Sequence, residues 1–101
     1  MDEKIVNISM ELIATAGDAK SSALEAINFA KNQDAQKAHE KLAEAKEQLT
    51  KVHQIHGGLI MSEAAGEKYE ISLLFVHAQD HLTSAIVILD LAEHLINLYL
   101  K

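Results

Sequence analysis

The chain has 101 residues, a formal net charge of −6 and a sequence pI near 5.4, with 49% hydrophobic and 24% charged residues. That is the balance of one globular domain rather than a disordered chain, and its acid excess argues against a general nucleic-acid binder, whose affinity comes largely from phosphate contacts. Cysteine is absent, which excludes disulfide scaffolds and thiolate metal sites; proline is absent too, so nothing forces a break in long helices. With only four glycines and four aromatic residues, a β-sandwich or small barrel is not expected. The charged start, Met1-Asp2-Glu3-Lys4, leads into an amphipathic pattern, so no signal peptide is expected. The longest uninterrupted apolar run, Ala85 to Leu89, is far short of a membrane span. A soluble, cytoplasmic protein of one domain, 1–101, is the expectation.

The first helix is predicted over about 2–30. Ile5, Ile8, Leu12, Ala16, Ala19, Ala23, Ile27 and Ala30 recur at three- and four-residue spacing, the period of one helix face. Gly17 interrupts it, at a cost of roughly 1 kcal/mol relative to alanine, which points either to close approach of a neighbouring helix or to a tolerated weak spot. Lys31 to Asp34 is polar, and Asp34 or Asn32 can cap the next helix. That helix is predicted over about 34–64, with an apolar stripe through Ala35, Ala38, Leu42, Ala45, Leu49, Val52 and Ile55 and a solvated Lys/Glu face opposite. Gly57-Gly58 weakens it, and a full break at Gly57 is open; Gly66 is its expected stop. A third helix is predicted over about 69–100. Three such rods joined by short connections imply an all-α, antiparallel up-down-up bundle.

Helix 3 is apolar around most of its circumference, apart from a narrow stripe of Ser72, Gln79, Thr83, Asp90, Glu93, His94 and Asn97. A three-helix monomer would leave part of that surface exposed, and self-association is the simplest cover for it. His77, Asp80, His81 and Ser84 stand on the apolar side at i, i+3, i+4 and i+7. Three readings fit that spacing. A satisfied polar seam could fix helix register in a non-catalytic scaffold. A metal site could use the i, i+4 histidines with Asp80, joined by His53 and His56 if helix 2 turns that face inward. A histidine could also act as a nucleophile and accept a phosphoryl group, a reaction that asks mainly for positioning and electrostatics.

The string Val76-His77-Ala78-Gln79-Asp80-His81-Leu82 resembles the phosphorylation segment of the lactose/cellobiose-type IIA component of the bacterial phosphoenolpyruvate-dependent sugar phosphotransferase system. Ala16-Gly17-Asp18-Ala19-Lys20 is similar to a motif of that family's first helix, and Ala65-Gly66-Glu67 to its second connection, with spacings that fit without gaps. The resemblance implies a homotrimer with active sites between subunits. It implies that His77 receives a phosphoryl group from the phosphocarrier protein HPr and passes it to a IIB component, upstream of a membrane IIC component, during uptake of a β-linked disaccharide such as cellobiose, lactose or chitobiose. His81 and Gln79 would be site neighbours. Asp80 would meet its two copies on the trimer axis around a divalent cation, taken to be Mg2+. Asp18 is expected to support packing, and an apolar rim of Phe75, Val76 and Ala78 to serve transient docking. Two positions depart from the family pattern: His56-Gly57 stands where Gln-Thr is usual, and Thr83 where Met is common.

Overall fold

Each of the three helices begins at a short polar side chain that turns back onto its first turn. In the computed structural model, which describes residues 2–101, α1 runs Glu3–Lys31, α2 Ala35–Ala64 and α3 Leu73–Tyr99. Asp2 accepts the Lys4 amide at 2.9 Å, Asp34 the Lys37 amide at 3.1 Å and Ser72 the Phe75 amide at 3.1 Å. Each bond satisfies one of the amides a helix start leaves unpaired. No strand occurs among the described residues. The short connections fold the helices back on one another as an up-down-up bundle of 49 × 22 × 16 Å.

The two turns close alike. After α1 the amides of Gln33 and Asp34 return to the carbonyls of Ala30 and Phe29; after α2 those of Gly66 and Glu67 return to Glu63 and Ser62. Both closures place the residue after the cap at positive φ, 63° for Gln33 and 111° for Gly66. α2 passes through Gly57-Gly58 unbroken. Where the pattern suggests helix from about residue 69, residues 67–72 are non-helical and α3 begins at Leu73. Ser72 sets that start by capping it, and Ile71, within the span predicted as helix, lies outside it and is exposed.

The core is built on alternating four- and three-residue steps. α1 contributes Ile5, Leu12, Ala16, Ala19, Ala23, Ala26 and Ala30; α2 contributes Ala38, Leu42, Ala45, Leu49, Val52 and Leu59; α3 contributes Ala78, Leu82, Ala85, Leu89, Ala92 and Ile96. So much alanine lets helix axes approach closely, with leucine and isoleucine filling the gaps between them. Gly17 has no such role within the chain, since a Cβ built there meets no atom within 4 Å. Asp18 is exposed and does not support packing within the chain. α1 packs along both other helices, whereas α2 and α3 touch sparsely and leave a cleft between them. Two exposed cross-links tie the rods: Lys41 with Glu25 at 3.0 Å, and Lys46 with Glu93 at 2.9 Å. By length and composition alone α3 is apolar enough to cross a membrane. Its apolar surface is instead divided between the core seam and a stripe pointing away from the bundle.

Candidate functional site

Relative to Asp80, the buried residues of α3 lie on the far side of the helix. At about 100° per residue, Leu73, Val87, Leu91 and Leu98 lie within about 20° of Asp80 itself. All four are exposed, Leu73 at 86% and Leu98 at 65%. A helix directing leucines and valine away from its own core has an unpartnered apolar face. Asp80 sits exposed in the middle of it, without an ion-pair partner among the described residues.

His77 and His81 stand together on one flank of this stripe. Their Nε2 atoms are 3.1 Å apart and their rings meet edge to face, with centroids 4.5 Å apart at 88°. The i, i+4 spacing on a continuous helix puts the two rings within reach of each other. A hydrogen bond at this contact requires one Nε2 to carry the proton and the other the lone pair. His77 is exposed; His81 is half-buried, and its Nδ1 lies buried without a protein partner.

Gln79 occupies the other flank. It is two residues from His77, about 200° around the helix, and leans onto α2, where its Oε1 meets His56 Nε2 at 2.5 Å. Its Nε2 is buried with no partner. Gln79 helps form the wall of two depressions. One, shared with Leu73, Val76, His77, Asp80 and Thr83, lies over the stripe; the other is a cleft of about 220 Å3 between α2 and α3, lined by His56, Tyr69 and Phe75 among others. Thr83 turns its hydroxyl onto the Gln79 carbonyl at 3.1 Å.

Several expectations need correction. His53 and His56 do not converge with His77, Asp80 and His81 into one ligand set: His53 is exposed, and His56 is engaged by Gln79. Among the described residues no three His, Asp or Glu side chains of the chain could hold a metal together. His77 and Asp80 are exposed in the single chain rather than buried in an apolar seam. Ala78 belongs to the core, so the apolar surface beside His77 is made by Leu73 and Val76, with Phe75 half-buried. The pairing of His56 with Gln79 is absent from the expected site. Its signal was position 56, a core-facing step of α2 filled by an imidazole.

The chain and its three-helix fold are matched by comparison with known proteins. A model of the lactose/cellobiose-specific IIA subunits of the phosphotransferase system matches residues 7–100. This chain belongs to that family. The lichenan-specific phosphotransferase enzyme IIA component of Bacillus subtilis is 46% identical over 101 residues, covering all of this chain and 92% of the relative. The crystal structure of the cellobiose-specific enzyme IIA from Bacillus anthracis superposes with a TM-score of 0.93 at 44% identity, covering 98% of this chain and 91% of that one. A solution structure of the IIA(chitobiose)–HPr complex from the Escherichia coli N,N'-diacetylchitobiose branch gives 0.80 at 30% identity, covering 97% and 95%. The chain is therefore a IIA-type component of a sugar phosphotransferase system, a family whose members carry phosphoryl groups.

Proposed function

We propose that this IIA component carries its phosphoryl group on His77, receiving it from HPr and delivering it to a IIB component that serves a membrane IIC transporter for a β-linked disaccharide. The observation that carries the reading is the exposed His77 ring, with the His81 Nε2 3.1 Å from its own. In the transfer, a lone pair of His77 attacks phosphorus. The new N–P bond forms as the donor's N–P bond breaks, and the electron pair of that bond returns to the donor imidazole. The same exchange in reverse order of partners hands the group onward. Little covalent chemistry is asked of the protein beyond position and charge stabilisation. An N–H on His81 would lie beside the incoming phosphoryl oxygens and become more favourable as negative charge gathers there. An exposed nucleophile flanked by Leu73 and Val76 suits two successive, short-lived complexes. The relatives' names, lichenan-, cellobiose- and lactose-specific, all belong to β-linked sugars and support that class.

The same reading makes the protein a cytoplasmic homotrimer in which three copies of the α3 stripe meet on a common axis. Each chain then brings one carboxylate, Asp80, to that axis, framed by Leu73 and Val87. Three such groups repel unless they are protonated or bridged. Their oxygen donors suit a hard cation such as Mg2+, whose contribution is charge neutralisation of the interface. His77, to the side of the axis, remains accessible.

The test is incubation with phosphoenolpyruvate, enzyme I and HPr, followed by intact mass and phosphorus NMR. The wild type gains one acid-labile phosphoryl group per chain, and His77→Ala gains none while sedimenting as the wild type does. A scaffold in which the histidines only set register predicts the opposite: no phosphoryl group on the wild type and altered assembly in His77→Ala.

A further inference from the structure

We propose that His77 and His81 together chelate a transition-metal dication of the zinc class, and that the metal and the phosphoryl group exclude each other because both need the same lone pair of His77. The chelate stands on its own geometry; the exclusion rests on the carrier reading above.

The first support is the placement of the two nitrogens. The Nε2 atoms are 3.1 Å apart, nearer to each other than the ring centroids at 4.5 Å, so both are turned toward one shared point in an exposed contact. Zn2+ binds imidazole nitrogen at about 2.0–2.1 Å, which at a tetrahedral angle sets two such nitrogens about 3.3 Å apart. The pair stands close to that spacing before any metal arrives, and one continuous helix holds it there. Histidines at i and i+4 are also the spacing that helical zinc sites use.

The second support is the chemistry of the donors. Imidazole suits Zn2+, Cu2+ or Ni2+, whereas Mg2+ takes oxygen ligands. The pair is therefore distinct in preference from the carboxylate of Asp80. No third His, Asp or Glu among the described residues joins the two rings, so water fills the other positions around the ion. A net charge of −6 favours the approach of a dication.

The surroundings of His81 set how firmly the ion is held. With Nε2 on the metal, the His81 proton sits on Nδ1, which is buried without a partner. Tight sites give that N–H to a carboxylate or a carbonyl. Two protein donors and one unanswered N–H make an exchangeable site, a reversible brake rather than a structural ion. The brake acts through a single electron pair. While the His77 nitrogen is bonded to phosphorus it cannot bind the metal, and a bound metal withholds it from phosphorus. By linkage, phosphorylation must weaken Zn2+ binding by the factor by which Zn2+ opposes phosphorylation at equilibrium.

The test titrates ZnCl2 into the full chain by calorimetry and follows the thermal midpoint, for wild type, His77→Ala, His81→Ala and His53→Ala. The wild type should bind one Zn2+ per chain with a raised midpoint, and excess Mg2+ should not displace it. His77→Ala and His81→Ala should each bind at least ten-fold more weakly, since losing even an outer hydrogen-bond partner of a ligand costs a site that much. His53→Ala, exposed on α2, should bind as the wild type does. A wild type that binds no Zn2+, or either variant of the pair binding as the wild type does, overturns the chelate. The exclusion is read separately, on protein phosphorylated in advance and freed of HPr. It should bind Zn2+ at least ten-fold more weakly than the unphosphorylated chain, and equal binding overturns the exclusion. A wild type that never takes a phosphoryl group counts against the carrier reading instead, and the Zn2+ titration still decides the chelate.

Discussion

Gln33 and Gly66 occupy equivalent places in the two turns, yet only one is glycine. At Gln33 the positive φ of 63° coexists with a side chain that donates from Nε2 to the Tyr99 carbonyl at 2.9 Å, tying the α1–α2 turn to the end of α3. Gly66 has no such tie and a φ of 111°, and a Cβ added there meets no atom within 4 Å. Its demand is therefore one of backbone conformation alone. Gly66→Ala should cost about 1–3 kcal/mol, lowering the thermal midpoint by roughly 4–8 °C per kcal/mol in a domain of this size. Gly58 is helical with equally open surroundings. Gly58→Ala should raise stability by about 0.5–1 kcal/mol. Calorimetry of the two variants checks both signs, and equal midpoints would refute the distinction.

Between elements, α1 is the strut and the α2–α3 contact is the weak seam, bridged toward one end by Lys46 and Glu93. The Lys46 hydrogen bond and charge hold the Glu93 carboxyl below its ordinary range. A carboxyl lowered by folding adds stability above the unfolded carboxylate pKa and loses it as the pH falls through the lowered value. Both side chains are about half exposed, which keeps the contribution under about 1 kcal/mol and sensitive to salt. Lys46→Ala should therefore lower the melting temperature slightly at neutral pH, with the difference vanishing in acid. A difference that persists at low pH would show that the lysine stem, not the charge, does the bridging. These rods were legible in the sequence because alanine and leucine keep one periodicity through whole helices and because Asp34 and Gly66 have side-chain and backbone reasons to stand where they do. The start of α3 was less legible: residues 69–72 carry no breaker, and only the Ser72 cap decides it. The His56–Gln79 bond was hidden because it joins two helices, whereas His77 and His81, four residues apart on one helix, announce their own contact.

For the whole molecule, the governing fact is that α3 has two apolar faces and the chain covers only one. The uncovered face holds Leu73, Val87, Leu91 and Leu98 with a single carboxylate among them. In the three-fold assembly proposed for it, the leucines favour association and Asp80 opposes it, since bringing three carboxylates together out of water costs several kcal/mol per ion before any bridging. A divalent cation offsets that repulsion, so the wild-type assembly should loosen when the cation is chelated and tighten when Mg2+ is restored. Removing the carboxylate removes both the repulsion and the need for the ion. Asp80→Leu should accordingly stay assembled in chelator, at concentrations where the wild type dissociates, and should respond to neither Mg2+ nor chelator. Leu91→Lys should do the reverse and disperse the protein whatever the cation, by placing three ammonium groups where α3 must be dry. Sedimentation velocity of the two variants with and without chelator separates the terms. An Asp80→Leu protein that runs as a monomer would mean that the carboxylate holds the assembly together through direct bonds of its own, and the account of the stripe as an apolar interface carrying one neutralised charge would fail.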